Sequence, residues 1–194
     1  MGSRGGSLPR GLRAVTGAGG PPRRREVDLG AGSVVRAPHA IRGDIARDAR
    51  PDVVLDASRA LPFRTGSLDR VYCFDLVEHI ADVPALMAEL HRILRSGGRL
   101  LITTPHFSCA NAYIDPTHMH RFGWHSFDYF TAEHGLRYYS AARFRIAHRL
   151  LRFHGGPLDA LVRRIAHRWP DWYEHRLAWT WPAWYLEFEL VAEK

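Results

Sequence analysis

The chain has 194 residues, enough for one domain with its own core, and its two cysteines, Cys73 and Cys109, are too few for a disulfide framework. No apolar run approaches the roughly eighteen residues of a membrane span, and the start lacks the apolar middle of a secretory signal. The formal charge of +7 is uneven: Arg4, Arg10, Arg13, Arg23, Arg24 and Arg25 stand in an acid-free start, leaving 21 basic against 20 acidic residues in the rest. That balance argues against nucleic acid as the principal partner and makes a cytoplasmic setting the expectation.

Residues 1–25, rich in Gly, Pro, Ser and Arg, bury too little apolar surface to offset ordering and are expected to form a disordered tail. Residues 26–194 are read as a single domain. EVDLG predicts a first strand, IRGDI a second, PDVVLDA a third and the stretch around 71–74 a fourth. ADVPALMAELHRILRSGG has apolar residues at helical spacing, with Gly97-Gly98 as its expected stop. RLLITTP predicts a fifth strand, SFDYFTAEHG a helix ending near Gly135, RFRIAHRL a sixth strand and WYLEFELVAEK a last one. The expected fold is α/β: a Rossmann-like, mostly parallel seven-stranded sheet with helices on both faces. Ligands of such sheets bind beyond the carboxyl ends of the strands, which singles out Asp28–Gly32, Asp44, Asp56 and Phe74-Asp75.

The first crossover is short. Asp44 follows only twelve residues after Gly32, and Pro38 intervenes, so a full helix does not fit. A dinucleotide-binding unit places its ribose-binding acid about twenty residues on, after a helix whose N-terminus holds the pyrophosphate. The spacing disfavours NAD and suits a nucleoside without a pyrophosphate.

The ordered series D-x-G-x-G, G-D-I, D-A-x-x-L-P-F, D-x-V-x-x-x-x-x-x-E-H and L-R-x-G-G-R-L, over 26–105, resembles class I S-adenosylmethionine-dependent methyltransferases of the type 11 group. The resemblance implies S-adenosylmethionine as cofactor and a methyl transferase activity. It places Asp28 near the cofactor's cationic amino-acid end and Gly30 and Gly32 where backbone must approach closely. It puts Asp44 and Ile45 at the ribose, Asp56 and Ala57 at the adenine with Leu61, Pro62 and Phe63 as an apolar wall, and Phe74 and Asp75 under the methionine portion. Val34 stands where the family often has a third glycine. Glu78-His79 matches a recurring pair of the family.

HFSCANAYIDPTHMHRFGWHSF follows the fifth strand and carries His106, His118, His120 and His125. Residues 106–136 are read as a lid over the site, and 137–194 as a substrate and closing-strand region. Methyl transfer to a poorly acidic nucleophile calls for a general base, and His118 or His120, with Asp115 fixing the ring, is the expected one. His118 and His120 with His106 or Asp115 would also make a metal-ligand set, but H-x-H spacing is loose evidence and no metal is assigned. Eight arginines and a single acid between Arg137 and Arg168 mark a patch that could meet an anion. Tryptophans at 169, 172, 179, 181 and 184 would fill a core or form an apolar pocket or homodimer surface. The expected acceptor is an oxygen or nitrogen of a small molecule or glycan, with no membrane partner.

Overall fold

The computed structural model describes residues 25–134 and 140–194; the expected N-terminal tail, apart from Arg25, lies outside the described residues, as does the stretch around Gly135. The first half of the chain forms β1 (Glu26–Leu29), β2 (Ile41–Asp44), β3 (Val53–Val54), β4 (Leu68–Phe74), α1 (Val83–Ile93) and β5 (Leu94–Pro105). The second half adds α2 (Asn111–Ile114), β6 (Phe144–Arg152), α3 (Pro157–Arg168), α4 (Pro170–Arg176) and β7 (Tyr185–Ala192). The seven strands lie in the order β3-β2-β1-β4-β5-β7-β6. Neighbours from β3 to β5 run parallel, and only β7 is antiparallel to both its neighbours.

The chain moves outward from β1 to β2 and β3, then returns to place β4 on the other side of β1. The tips of β1 and β4 therefore border the point where the winding reverses, which is where such sheets open a crevice. Val27, Leu29, Val71, Cys73, Leu100 and Ile102 are essentially inaccessible to water in the central strands. Buried Val83, Leu86, Met87, Leu90 and Ile93 form the core-facing stripe of α1, and its N-terminus is capped by Asp82, which accepts the Ala85 amide at 2.9 Å.

Two expectations on secondary structure are corrected. Helix α1 ends at Ile93 rather than at Gly97-Gly98, because Leu94 is fully buried and already pairs with Leu68 in the sheet. The register shifts before Arg99 meets Arg70, and Gly97, at φ 71°, lies in the intervening bulge. In SFDYFTAEHG the described residues hold only a single 3-10 turn at Asp128–Phe130. There the Thr131 hydroxyl and amide both bond back to the Asp128 carbonyl, at 2.8 and 2.9 Å, a local alternative to helix continuation. Helices α3 and α4 were not anticipated from sequence; α3 buries only Ala166 fully, so its periodicity is faint beneath its arginines. The short first crossover is as expected: between β1 and β2 the described residues form turns and bends and no helix.

Candidate functional site

Two glycines shape the tip of β1. Gly30 sits at φ 67°, and a Cβ on it would lie 2.9 Å from Leu76 Cδ1, so a larger residue there would be strained and would have to displace the Leu76 side chain. The Gly30 and Ala31 amides donate to the Gly43 carbonyl at 2.9 and 3.2 Å, tying the loop to β2. Asp44 completes the tie: its carboxylate accepts the Gly32 amide at one oxygen and the Ala46 amide at the other, both at 2.8 Å. The Arg42 guanidinium bonds the carbonyls of Gly32 (2.5 Å), Ala49 (3.0 Å) and Arg50 (3.1 Å), fastening the loop from below.

Asp28, Gly30, Ala31, Gly32, Ser33, Val34, Arg36, Phe74 and Asp75 line a cleft of about 250 Å³. Asp28 is 1% exposed and its Oδ1 has no hydrogen-bond partner. Burial, with Asp44 adding repulsion, pushes its carboxyl up to about 6 against the pull of Arg36 and Arg42. Asp75 occupies a left-handed conformation at φ 53°, uncommon for a non-glycine residue, and its Oδ2 is 2.7 Å from Arg36 Nη1. Arg36 also lies over the Phe74 ring at 5.7 Å. The ion pair therefore spans the cleft mouth.

A second hollow of about 230 Å³ shares Val34, Arg36, Phe74 and Asp75 and continues toward Thr103, Arg152, Trp184, Tyr185 and Glu187. A third, of about 300 Å³, shares Asp75 and Tyr185 and is walled by Glu78, His79, Pro105, Asn111, Ile114, Asp115 and His118. Asp75, at the end of β4, is the corner common to all three. Glu78 is 1% exposed, and burial, with Asp75 adding to it, pushes its carboxyl up to about 7. Burial, then Asp75 and Glu78, raises the Tyr185 phenol above its ordinary range.

Of the residues expected at the cofactor, Asp28, Gly30, Gly32, Phe74 and Asp75 share one cleft, with Asp44 braced against its loop. Ile45 is 67% exposed and does not line that cleft. Asp56 is taken up by a local turn, accepting the Ser58 amide and hydroxyl at 2.9 and 2.6 Å and meeting Arg59 at 3.2 Å, while Ala57 and Leu61 are buried.

The four histidines grouped by sequence are dispersed by folding. His106 is fully buried, 2.7 Å from the Ser108 hydroxyl and 3.1 Å from Glu174, which also accepts the Trp124 amide at 2.6 Å. His120 faces the Ala81 carbonyl at 3.0 Å rather than a hollow. His125 is bracketed by Asp128 at 2.5 Å and Asp171 at 2.8 Å; burial works against its charge, but the two carboxylates prevail and raise its affinity for a proton. Only His118 reaches the third hollow, where its ring meets His79 edge-on at 4.6 Å. Asp115 lies 4.0 Å from His118 Nε2, beyond hydrogen-bond reach, and mainly holds a turn through the Thr117 amide and hydroxyl at 2.8 and 2.6 Å. The ligand set of His118 and His120 with His106 or Asp115 is therefore not assembled.

Three arginines of the patch, all on β6, meet acids from other segments: Arg149 pairs with Asp128, Arg152 with Glu187 and Arg145 with Glu193. Among the tryptophans, Trp184 lines the second hollow, Trp181 donates to Asp159 at 2.7 Å, and Trp169, Trp172 and Trp179 are more than half exposed. Sequence reasoning missed Arg36, Tyr185 and Glu174, which carry no motif and gain their roles from distant partners. Among the described residues, no helix is long and apolar enough to cross a membrane.

Residues 24–102 match the family model described as a methyltransferase domain. A ubiquinone biosynthesis O-methyltransferase of Xanthomonas oryzae pv. oryzae is 32% identical over 66 residues, covering 34% of this chain and 26% of that protein. The chain thus spans about a quarter of the length of that curated relative. An S-adenosylmethionine-dependent methyltransferase from Mesorhizobium loti superposes with a TM-score of 0.54 at 18% identity, covering 86% of this chain and 90% of that one. Phosphoethanolamine N-methyltransferase 2 of Haemonchus contortus, solved with S-adenosyl-L-methionine, gives 0.55 at 16% identity over 90% of this chain and 50% of that one. These likenesses establish the class I methyltransferase fold.

Proposed function

We propose that this chain, which has the class I methyltransferase fold and matches the methyltransferase-domain family over residues 24–102, transfers the methyl group of S-adenosylmethionine to an oxygen or nitrogen of a small molecule or glycan. The observation that carries this reading is the convergence of Asp28, the glycine loop and Asp75 on one cleft at the winding reversal. S-adenosylmethionine has a cationic amino-acid end, a sulfonium and no pyrophosphate. Asp28 and Asp75 suit its ammonium and sulfonium charges, and the Arg36 guanidinium suits its carboxylate. Asp44, with lone pairs to spare beyond its two amide donors, is the ribose partner.

Methyl transfer is an in-line displacement in which the protein supplies chiefly position. The cofactor methyl would sit beside Asp75, so the acceptor comes from the adjoining hollows. Glu78, His79 and His118 line one of them and face the acceptor as it loses its proton. The contact of His120 with the Ala81 carbonyl makes His118 the better-placed of the two histidines for this role. The likeness to a ubiquinone biosynthesis O-methyltransferase favours an oxygen as the acceptor, and the aromatic wall of Trp184 and Tyr185 suits one carried on a ring. Transfer of tritium from methyl-labelled cofactor into a panel of phenols, sugars and amines tests the proposal. Label in a phenol would support it, and no transfer to any acceptor by cofactor-bound protein would refute it.

A further inference from the structure

Glu78 is 1% exposed; its own backbone and the Thr104 hydroxyl lie close enough to favour the charged form, but neither carboxylate oxygen is held by a hydrogen bond of ordinary geometry, and the buried Nδ1 of His118 has no partner either. A carboxylate withdrawn from water without a partner is costly and calls for a proton or a cation. One ligand atom each from Glu78, His79 and His118 fall within 4.8 Å of one another. Ligands held about 2.1 Å from a common ion stand roughly 3–4 Å apart, so modest side-chain rotation closes the set.

The surroundings already orient one ring. The Thr117 hydroxyl donates to Asp115 at 2.6 Å and lies 2.9 Å from His79 Nδ1. With its only proton committed to Asp115, Thr117 accepts from Nδ1–H, which leaves the Nε2 lone pair of His79 free. Hydroxyl- and carboxylate-fixed imidazoles of this kind are what metal sites use to set the tautomer of a ligand.

We propose that Glu78, His79 and His118 bind a divalent transition-metal cation on the wall of the third hollow. One carboxylate and two imidazoles suit Mn²⁺, Fe²⁺ or Zn²⁺ and leave coordination positions open for the acceptor. This ligand set differs from the one that histidine spacing suggests, because Glu78 and His79 come from the turn after β4 and only His118 from the segment after β5. The role in turnover rests on the methyltransferase reading; the binding site does not. In that role an acceptor hydroxyl coordinates the ion, which acidifies it, and its proton passes to water. The oxygen lone pair then forms the bond to the methyl carbon, the carbon–sulfur bond breaks with its pair going to sulfur, and the ion stays bound.

The test uses the full chain, prepared without a histidine tag and stripped with chelator, then titrated with ZnCl₂ and with MnCl₂ by calorimetry and by elemental analysis after dialysis. One ion per chain is expected, with affinity at least tenfold lower in Glu78→Gln and in His118→Ala and unchanged in His120→Ala. Absence of stoichiometric binding of both metals, or equal affinity in all three variants, overturns the proposal. A parallel titration with S-adenosylmethionine separates the two readings: metal binding without cofactor binding refutes the methyltransferase function while leaving the cation site standing.

Discussion

Asp28 illustrates how a buried carboxylate in a cleft can work against the fold that carries it. Its carboxyl is raised to about 6 chiefly by burial, so the folded state holds its proton more tightly than the unfolded chain does. Stability therefore falls as pH rises from about 4 to about 6, and the cost, on the order of 3 kcal/mol for a two-unit shift, is fully present above that range. Asp28→Asn should accordingly raise the thermal midpoint of the ligand-free protein at pH 8 and change it little at pH 4. The same variant should bind S-adenosylmethionine more weakly, and a variant of unchanged stability at pH 8 would show that Asp28 is not carrying the cost assigned to it. Asp44 makes the complementary case. Its two amide contacts stabilise the loop, and Asp44→Ala should weaken cofactor binding at least tenfold in calorimetry; unchanged affinity would remove it from the ribose site. At this scale the sequence reveals which acids and glycines stand at strand ends, as Asp28, Gly30 and Asp75 do, while their roles at a cofactor belong to the proposed function. The contacts of Asp56 with Ser58, two residues on in its own turn, are local ones that a strand-tip reading does not anticipate.

The elements fall into those decided by their own pattern and those decided by partners. The alternation of β7 and the apolar stripe of α1 are written in adjacent residues, and both are found where periodicity puts them. Leu90, fully buried on α1, gives the corresponding stability expectation: Leu90→Ala should cost about 2–5 kcal/mol in chemical denaturation, and a loss below 1 kcal/mol would mean that the α1 face repacks freely. The segment after β5 could not be read in this way. Its course depends on Glu174, on α4, which holds both the buried His106 ring and the Trp124 amide across a gap of fifty residues or more. Glu174→Ala should leave two buried donors unsatisfied and increase amide exchange through residues 106–124, with little change in β1 to β4. Exchange that rises uniformly through the sheet would instead place Glu174 in the global core. The histidines in this segment scatter for the same reason: each is claimed by a different element, and spacing in sequence carries no information about that.

Charge and topology belong to the whole molecule. The body is nearly neutral once the six N-terminal arginines are set aside, and the arginines of β6 are matched by acids of β7 and of other segments. Replacing those six arginines by glutamine should strongly reduce salt-sensitive retention of the chain on DNA, because they form its one acid-free arginine cluster of this size at the start; retention that persists with a steep salt slope would point to a nucleic-acid surface on the folded body. The strand order and the winding reversal, by contrast, assemble a cleft from residues 28 to 75 that suits a sulfonium nucleoside. Calorimetric titration of the purified full chain with S-adenosylmethionine, and with its demethylated product, tests that claim most directly. The account predicts saturable binding of one molecule per chain, accompanied by a rise in thermal midpoint that grows with ligand concentration. No heat and no thermal shift with either compound would contradict it.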